Sequence, residues 1–439
     1  MFTLPWVGAD LIILLTGRDA GAGLQPSWLL AAGAWLAAGR PRHRWRVPTV
    51  WRRVALLAGA AVLVSGAGLV VAPAPVGWDL ALVRFLKQIL QLAVMAMFMA
   101  WPVVHLVGSR EWKRTAQWLV AGALLQAAYG ALQQVSGAEP LPLLAALDAV
   151  FTSNPSILSG STMLYVGDRF VDVPRLRGTA CEPLYLGNYL LLVLPMLVLT
   201  GWRRRWRLSA AAVLGLLLLL TWSRGAWLGA GAAWVVAAWW GPRGAASAPA
   251  TPRHRWRRWV AGLAGASGLI LLAMAAGWEE AGLPLRRLAQ SFSHHDWSNL
   301  TRLYSVQAAW RAWLLSPVVG IGWGQFGWHF PALVDPTGLQ AMFTWPVVGN
   351  LPLLILCETG LAGAAALIWA AAGLARGVVR ARRELRSAEG QRVGACAIAA
   401  TGIAVQYLSF SQYNLAHAWV ALGLLATALL EARRTGKPA

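Results

Sequence analysis

The sequence predicts an all-α, polytopic membrane protein with about 12 transmembrane helices and two large periplasmic loops. Apolar residues make up 58% of the 439 residues and charged residues only 13%, whereas soluble proteins carry about 25% charged residues. Apolar runs of roughly the length that crosses a bilayer recur along the chain. Short clusters of arginine and lysine separate these runs. Together these features exclude a water-soluble globular enzyme.

The apolar runs define the predicted spans in chain order. The first two runs, and the pair on either side of Arg224, are short for a full crossing. The spans are predicted at 2–16, 26–39, 54–73, 79–108, 115–135, 187–202, 208–222, 225–240, 259–277, 347–374, 393–412 and 414–432.

The positive charge predicts the orientation of the chain in the membrane. The net charge is +21, and most of the 38 basic residues fall on one side when the spans are threaded in order. The positive-inside rule assigns that side to the cytoplasm. We therefore predict a multi-pass membrane protein with both termini cytoplasmic, and we expect no binding of nucleic acid. The basic clusters lie at 40–53, 109–114, 203–207, 241–258, 375–392 and after 432.

Two outer loops are longer than a connection between helices requires. They cover 136–186 and 278–346, and loops of this length usually carry function. Within them, 141–151 and 299–315 are amphipathic and are predicted to lie along the outer membrane face. The chain divides into an N-terminal bundle with the first loop, a core with the second loop, and a C-terminal hairpin with a basic tail. These segments are 1–174, 175–375 and 376–439.

Charged residues at the outer membrane level are candidate site residues. Arg224 lies between two apolar spans, where a guanidinium needs an anionic partner or a polar cavity. Arg84 and Lys87 share one face of the fourth span, where they could bind a ligand, reach outward to water or pair with Asp79. Glu358 lies inside the tenth span, and we expect it to pair with one of these arginines.

An outer cavity bearing several arginines suits a diphosphate, because guanidinium forks neutralise the charge that grows on a leaving phosphate. The outer loops contain no DxD motif, and the chain has no GxxxxGK[ST] phosphate loop. We therefore expect neither a metal nor a cofactor. The three cysteines are scattered without CxxC spacing and are interpreted as packing residues.

Four stretches share one predicted membrane side. They are Arg175 to Gly178 with Glu182-Pro183 and Gly187-Asn188; Thr221 to Trp227; Arg302 to Trp310 running into Ser316 to Phe326; and Asn350 to Leu354 with Glu358 to Gly363. In this order they resemble segments of the bacterial O-antigen ligases and the related O-antigen polymerases, glycosyltransferases of the bacterial inner membrane with a GT-C-like helical bundle. The resemblance covers roughly 175–375.

This resemblance implies a reaction and its partners. A glycan on undecaprenyl diphosphate would be transferred, without ATP or metal, to an acceptor hydroxyl on the periplasmic face. The acceptor would be a lipid A core or another glycan, lipid or protein, and membrane lipids would surround the enzyme. The resemblance maps diphosphate binding onto Arg177, Arg224 and Arg302, with Arg302 also catalytic, and the polar face of the fourth span adds Arg84 and Lys87.

One position departs from the ligase pattern. Ligases typically place a histidine, proposed as the base, immediately before the asparagine that here is Asn350, and this chain has Gly349 there. Candidates to accept the proton on the outer side are Glu182, His329, His417 and the His294-His295 pair. Glu182 and His329 rank first because they lie within the matched stretches. Supporting roles are predicted for Asn350, Glu358 and His417.

Three functions compete at this point. A ligase joins one lipid-linked glycan to a different acceptor, and a polymerase of the same superfamily extends one lipid-linked glycan with another. A lipid-linked glycan flippase would use the same arginines while alternating access. The large outer loops favour an enzyme that works from one side, and the chain lacks the internal repeat of many transporters.

Overall fold

The protein is a helical bundle with a small β-hairpin. In a computed structural model, the described residues form helices and one antiparallel hairpin, β1 (Met163–Val166) and β2 (Arg169–Pro174). The hairpin lies in the first predicted loop, and the sequence analysis did not predict it. The structure describes residues 3–18, 23–37, 49–108, 111–136, 142–153, 163–166, 169–240, 283–289, 297–335, 337, 345–384 and 388–435.

Ten helices are described before residue 241, and short 3-10 turns follow two of them at Ser65–Ala67 and Leu197–Leu199. The helices are α1 (Leu11–Thr16), α2 (Pro26–Ala37), α3 (Thr49–Val64), α4 (Gly68–Val71), α5 (Trp78–His105), α6 (Trp112–Ser136), α7 (Pro142–Phe151), α8 (Pro183–Met196), α9 (Arg204–Leu220) and α10 (Arg224–Trp240).

The remaining described helices carry the second large loop and the C-terminal region. They are α11 (Leu283–Ala289), α12 (Trp297–Leu315), α13 (Phe326–Val334), α14 (Leu351–Glu384), α15 (Ala388–Gln406) and α16 (Ala416–Thr435). The predicted amphipathic stretches at 141–151 and 299–315 correspond to α7 and α12.

The predicted span 2–16 is wrong as a continuous helix. Residues 3–10 form turns, and helix begins only at Leu11, where the Asp10 carboxylate accepts a hydrogen bond from the Ile12 N–H at 2.9 Å. A local cause is Pro5, which lacks an N–H and disfavours a helical conformation at the residue before it. Leu4 and Val7 are nevertheless buried. The span predicted at 259–277 lies outside the described residues.

Two described helices are long and apolar enough to cross a membrane by length and composition, Trp78–His105 and Leu351–Arg383. Shorter apolar helices occur at Ala55–Val71, Pro142–Phe151 and Pro183–Leu199. Both long helices fall on predicted spans, 79–108 and 347–374. The number of crossings and the side of each loop stay predictions.

Helix α8 lies at the centre of the bundle. Its residues Tyr185, Leu186 and Tyr189 to Val193 are almost completely buried, so no face of this part of the helix is left for solvent or lipid. It contacts α6, α9, α10, α15 and α16. The largest buried apolar cluster draws residues from all three predicted segments of the chain. One apolar cluster therefore joins the three segments, and the division at 174 and 375 stays a prediction.

The segment between α12 and α13 crosses α14 at two glycines. The Ile321 N–H donates to the Cys357 carbonyl at 3.0 Å, and the Leu361 N–H donates to the Pro317 carbonyl at 2.9 Å. Gly320 has φ +76 and Gly360 has φ +64, and a Cβ at either glycine would collide with the facing backbone. Glycine is needed at both positions because the two backbones touch and both residues are left-handed. This crossing fixes the second loop on the bundle.

Candidate functional site

The turn between α9 and α10 presents Arg224 from a constrained backbone. Trp222 adopts the left-handed conformation with φ +51, which is costly for a residue with a side chain. Ser223 caps α10, since its Oγ accepts a hydrogen bond from the Ala226 N–H at 3.4 Å. A Cβ at Gly225 would collide with Ser409 Oγ, so only glycine allows this close packing. Arg224 is consequently the first residue of α10 and is only 7% exposed.

Helix α12 brings Arg302 to the same place. The Arg224 Nη2 donates a hydrogen bond to Asn299 Oδ1 at 3.2 Å, across 75 positions of sequence. Arg302 follows Asn299 by three residues and therefore lies one turn further on the same face of α12. Arg302 is half-buried. Arg224 and Arg302, two of the three arginines that the resemblance assigned to the diphosphate, are thus neighbours.

Arg175 lies in the same place as Arg224 and Arg302, although the sequence analysis did not assign it to the site. Its Nε donates to the Thr221 carbonyl at 3.3 Å, and the next residue, Leu176, donates its N–H to the Leu220 carbonyl at 3.0 Å. Burial lowers the pKa of Arg175 to about 10; Glu182 acts to raise this pKa, while Arg224 and Arg302 act to lower it. Glu182, Arg224 and Arg302 therefore all lie within electrostatic range of Arg175. We call Arg175, Glu182, Arg224 and Arg302 the arginine cluster.

Arg177 was the arginine that the sequence analysis chose from the same motif, and it faces a different partner. Its Nη2 lies 2.8 Å from Asp148 Oδ2 on α7. Asp148 Oδ1 also accepts from the Tyr129 hydroxyl at 2.7 Å and from Gln133 Nε2 at 3.1 Å. The ion pair joins α7 to the segment before α8, and the two hydrogen bonds join α7 to α6. The Arg-x-x-Gly spacing was the available signal for Arg175, because Gly178 is three residues after Arg175.

Glu182 supplies the carboxylate of the arginine cluster. It is the residue preceding α8, is 4% exposed, and follows Cys181, whose left-handed φ of +59 turns the chain into the helix. The only two non-glycine residues with positive φ in the described part of the chain therefore lie beside cluster residues, Cys181 beside Glu182 and Trp222 close to Arg224. Backbone strain of this kind concentrates at functional sites, where the surrounding structure holds it.

Gly349, where ligases typically have a histidine, lies against Arg302. The Gly349 N–H donates to Ser305 Oγ at 3.1 Å, and a Cβ built on Gly349 would lie 3.1 Å from Arg302 Cγ. The neighbouring Asn350 has a structural position. Its Oδ1 accepts from the Leu353 N–H at 3.0 Å to cap α14, and its Nδ2 donates to the Leu408 carbonyl at 3.1 Å. Residue 349 therefore lies beside Arg302, and as a glycine it has no side chain there.

The candidate histidines lie in two different settings. His329 on α13 is buried, burial lowers its pKa to about 4, and its Nε2 has no hydrogen-bond partner within the described ranges. His417 is fully buried, with Nε2 at 2.9 Å from Asn188 Oδ1, and Asn188 Nδ2 donates to Gln406 Oε1 at 3.0 Å. This second network joins α8, α15 and α16 within the core. The His294-His295 pair lies outside the described residues.

Arg84 and Glu358 belong to a second polar group. Arg84 Nε donates to the Gly324 carbonyl at 2.6 Å, and its guanidinium carbon lies 3.9 Å from the centre of the Trp345 ring. Glu358 accepts from the Gly324 N–H at 2.9 Å and the Phe326 N–H at 3.0 Å, which caps α13, and it lies within electrostatic range of Arg84. Lys87 is exposed on α5. Arg84 therefore binds the segment around Gly324 that Glu358 also binds, whereas the Lys87 side chain is exposed.

Groups of three or more His, Cys, Asp or Glu residues that could hold a metal ion do not occur in the described part of the chain. The arrangement can instead bind an anion. Three guanidinium groups converge on a buried place where the first turn of α10 also presents its positive dipole end.

Residues 209–368 match the family model described as O-antigen ligase. The turn at Arg224, the helix that carries Arg302 and the segment from Gly349 to Glu358 lie inside the match, whereas Arg175 and Glu182 precede it. The match confirms the resemblance to the O-antigen ligase and polymerase superfamily, whose members are membrane glycosyltransferases. No curated protein matches the chain.

Proposed function

We propose that this chain, which carries an O-antigen ligase domain at 209–368, transfers a glycan from undecaprenyl diphosphate to an acceptor hydroxyl on the periplasmic face of the inner membrane. The observation that carries the proposal is the arginine cluster. It unites residues from the first large loop, the α9–α10 turn and the second large loop. Both termini would then be cytoplasmic.

The charge of the cluster supports a diphosphate ligand. Three guanidinium groups and one carboxylate leave two net positive charges, and a diphosphate that links a lipid to a sugar carries two negative charges. Guanidinium forks bind phosphate oxygens through paired hydrogen bonds. In a place where water is scarce these contacts are stronger than in bulk solvent. They would stabilise the undecaprenyl diphosphate most when it leaves with the electron pair of the broken bond.

The acceptor step needs a group that takes a proton. The acceptor oxygen attacks the anomeric carbon, the bond from that carbon to the diphosphate oxygen breaks, and the hydroxyl proton passes to a base. We assign this role to Glu182, because it is the carboxylate of the arginine cluster and Gly349 has no side chain. His329 is the second candidate: it is buried on α13, and its Nε2 has no hydrogen-bond partner within the described ranges.

The glycine at position 349 also bears on the class of acceptor. This chain has Gly349 where ligases typically place a histidine that is proposed to serve as the base, so we propose an acceptor other than a standard lipid A core, such as another glycan, lipid or protein. A polymerase is the second candidate function, since the superfamily contains both activities and the acceptor is then another lipid-linked glycan.

The test is transfer by the purified protein in lipid nanodiscs with an undecaprenyl-diphosphate oligosaccharide and candidate acceptors. Product length distinguishes one added block from a ladder of blocks. Arg224→Ala and Arg302→Ala should each lower turnover by about 100-fold or more, the cost of removing one preorganised donor. Arg224→Lys should also be impaired because a point charge cannot form the paired contact.

The matched control is Arg376→Ala, at an exposed arginine of α14 away from the cluster, which should retain activity. Near-normal transfer by both Arg224→Ala and Arg302→Ala would disprove the diphosphate site. Glu182→Gln should lower kcat while the KM for the donor stays close to that of the unmodified protein. Donor binding without any product, for every acceptor tried, would instead favour a carrier.

A further inference from the structure

A groove lies between α6 and α9, at the end of α9 remote from Arg224. Its volume is about 600 Å³. On the α9 side it is lined by Arg203, which precedes the helix, and by Trp206, Ser209, Ala210 and Val213, and Leu124 of α6 also lines it. The spacing of three and four residues places the α9 residues on a single face of the helix. The groove therefore runs along the helix axis.

The groove changes from cationic to apolar along its length. Arg203 and Val213 are separated by about 15 Å of helix rise. Trp206 lies near the cationic end, and Ala210 and Val213 lie towards the apolar end. Such a gradient matches a molecule that has an anionic head and a hydrocarbon chain.

Further basic residues lie beside the cationic end of the groove. Arg203, Arg204 and Arg205 are exposed there, and the Lys113 side chain lies beside Gly201, where a Cβ would come within 2.9 Å of Lys113 Cε. Across the described ranges, these three arginines form no ion pair with a carboxylate. A neighbouring anion would offset their mutual repulsion.

We propose that this groove binds one anionic phospholipid. Its phosphate would lie at the Arg203 end, and an acyl chain would lie against Trp206, Ala210 and Val213. The volume is in the range of ligand sites, basic pockets between membrane helices bind anionic lipid head groups, and tryptophan favours the level of the head groups. The charge of the groove selects an anionic lipid over a zwitterionic one.

This lipid site is independent of the proposed transferase activity. Helix α9 has 17 residues, a length of about 25 Å, and the arginine cluster lies at its other end. Failure of glycan transfer would therefore leave the lipid site standing, and the reverse also holds.

The experiment is native mass spectrometry of the full-length protein from micelles with equal amounts of phosphatidylglycerol and phosphatidylcholine. We expect one phosphatidylglycerol to be retained per protein. Arg203→Gln, at an exposed side chain, should weaken its binding about fivefold, which corresponds to one arginine near a lipid head group. Adding Trp206→Ala should weaken it further. Arg376→Gln, an exposed arginine on α14 outside the groove, is the matched control and should bind like the unmodified protein.

A second measurement covers the case in which a variant folds poorly. Phosphatidylglycerol should raise the thermal unfolding midpoint of the unmodified protein, and soluble glycerol phosphate, which lacks the chain, should not. Equal retention of both phospholipids, or retention unchanged in Arg203→Gln and in the double variant, would overturn the proposal. A lipid-free dimer that the same two variants dissociate would show that a second copy covers the groove, which would also overturn it.

Discussion

Gly349→Ala tests whether the empty position of the ligase histidine controls Arg302. The added Cβ would lie 3.1 Å from Arg302 Cγ and 3.2 Å from Ser305 Oγ. Carbon atoms normally approach to about 3.5–4.0 Å, so the stem of Arg302 must move by roughly half an ångström. The guanidinium at the end of that stem moves with it.

The expected cost follows from the contact that the movement disturbs. A hydrogen bond to a charged group contributes about 1.5–3 kcal/mol, and each 1.36 kcal/mol changes a rate by about tenfold. We therefore expect kcat/KM for glycan transfer to fall by roughly 10- to 100-fold. The thermal unfolding midpoint should change little, because residue 349 is only partly buried and its φ is not in the left-handed region.

Two controls isolate the route through Arg302. Gly231→Ala adds the same methyl group to α10, where a Cβ meets no atom within 4 Å, and it should leave transfer unchanged. In an Arg302→Ala background, Gly349→Ala should weaken donor binding no further, since coupled residues are not additive. The reasoning is refuted if Gly349→Ala transfers glycan within twofold of the unmodified protein.

Two further predictions concern residues that the structure repositions. Arg175→Ala should lower turnover by about 100-fold. Arg177→Ala should mainly lower the free energy of unfolding, by about 1–2 kcal/mol, because it leaves Asp148 without its ion pair at a largely buried place. Equal losses of turnover in the two variants would contradict this difference in roles. His329 has a pKa of about 4 when folded, below the value of about 6.5 expected when unfolded, so the unfolded state takes up the proton first as the pH falls. Stability should therefore drop by about 2–3 kcal/mol between pH 7 and pH 4.5, and His329→Gln should flatten this dependence in thermal unfolding; an unchanged slope would refute the assignment.

Much of the fold was accessible from the sequence because its signals are local. Apolar runs predicted the positions of α2, α3, α5, α6, α8 to α10 and α14 to α16, since each helix satisfies its backbone within one segment. The ends were less exact, because α14 continues to Glu384 although its span was predicted to end at 374. The first span failed because hydropathy counted residues 3–10 as apolar without weighing Pro5. The sequence of the hairpin at Met163–Pro174 shows no strong alternation of apolar and polar residues, and the hairpin forms only when its two short strands pair.

The arginine site was predicted in part. The order of the four motifs pointed to Arg224, Arg302 and Glu182, and the structure brings these three together. Arg84 and Lys87 were expected to act with them because they share a helix face. The structure instead pairs Arg84 with Gly324 and Trp345, since the partner of a long side chain depends on which loop packs above the helix. The diphosphate roles of Arg84, Lys87 and Arg177 stay predictions.

By itself, the sequence predicted a helical membrane protein and the resemblance to O-antigen ligases that the match at 209–368 supports, because hydropathy and short motifs are properties of neighbouring residues. Only the tertiary structure shows that Arg175 and Arg177, which are two positions apart, have different partners. One arginine turns towards Glu182 and the other towards Asp148. That choice depends on contacts between segments far apart in the chain, and the energy of a charge depends on the groups that folding brings beside it.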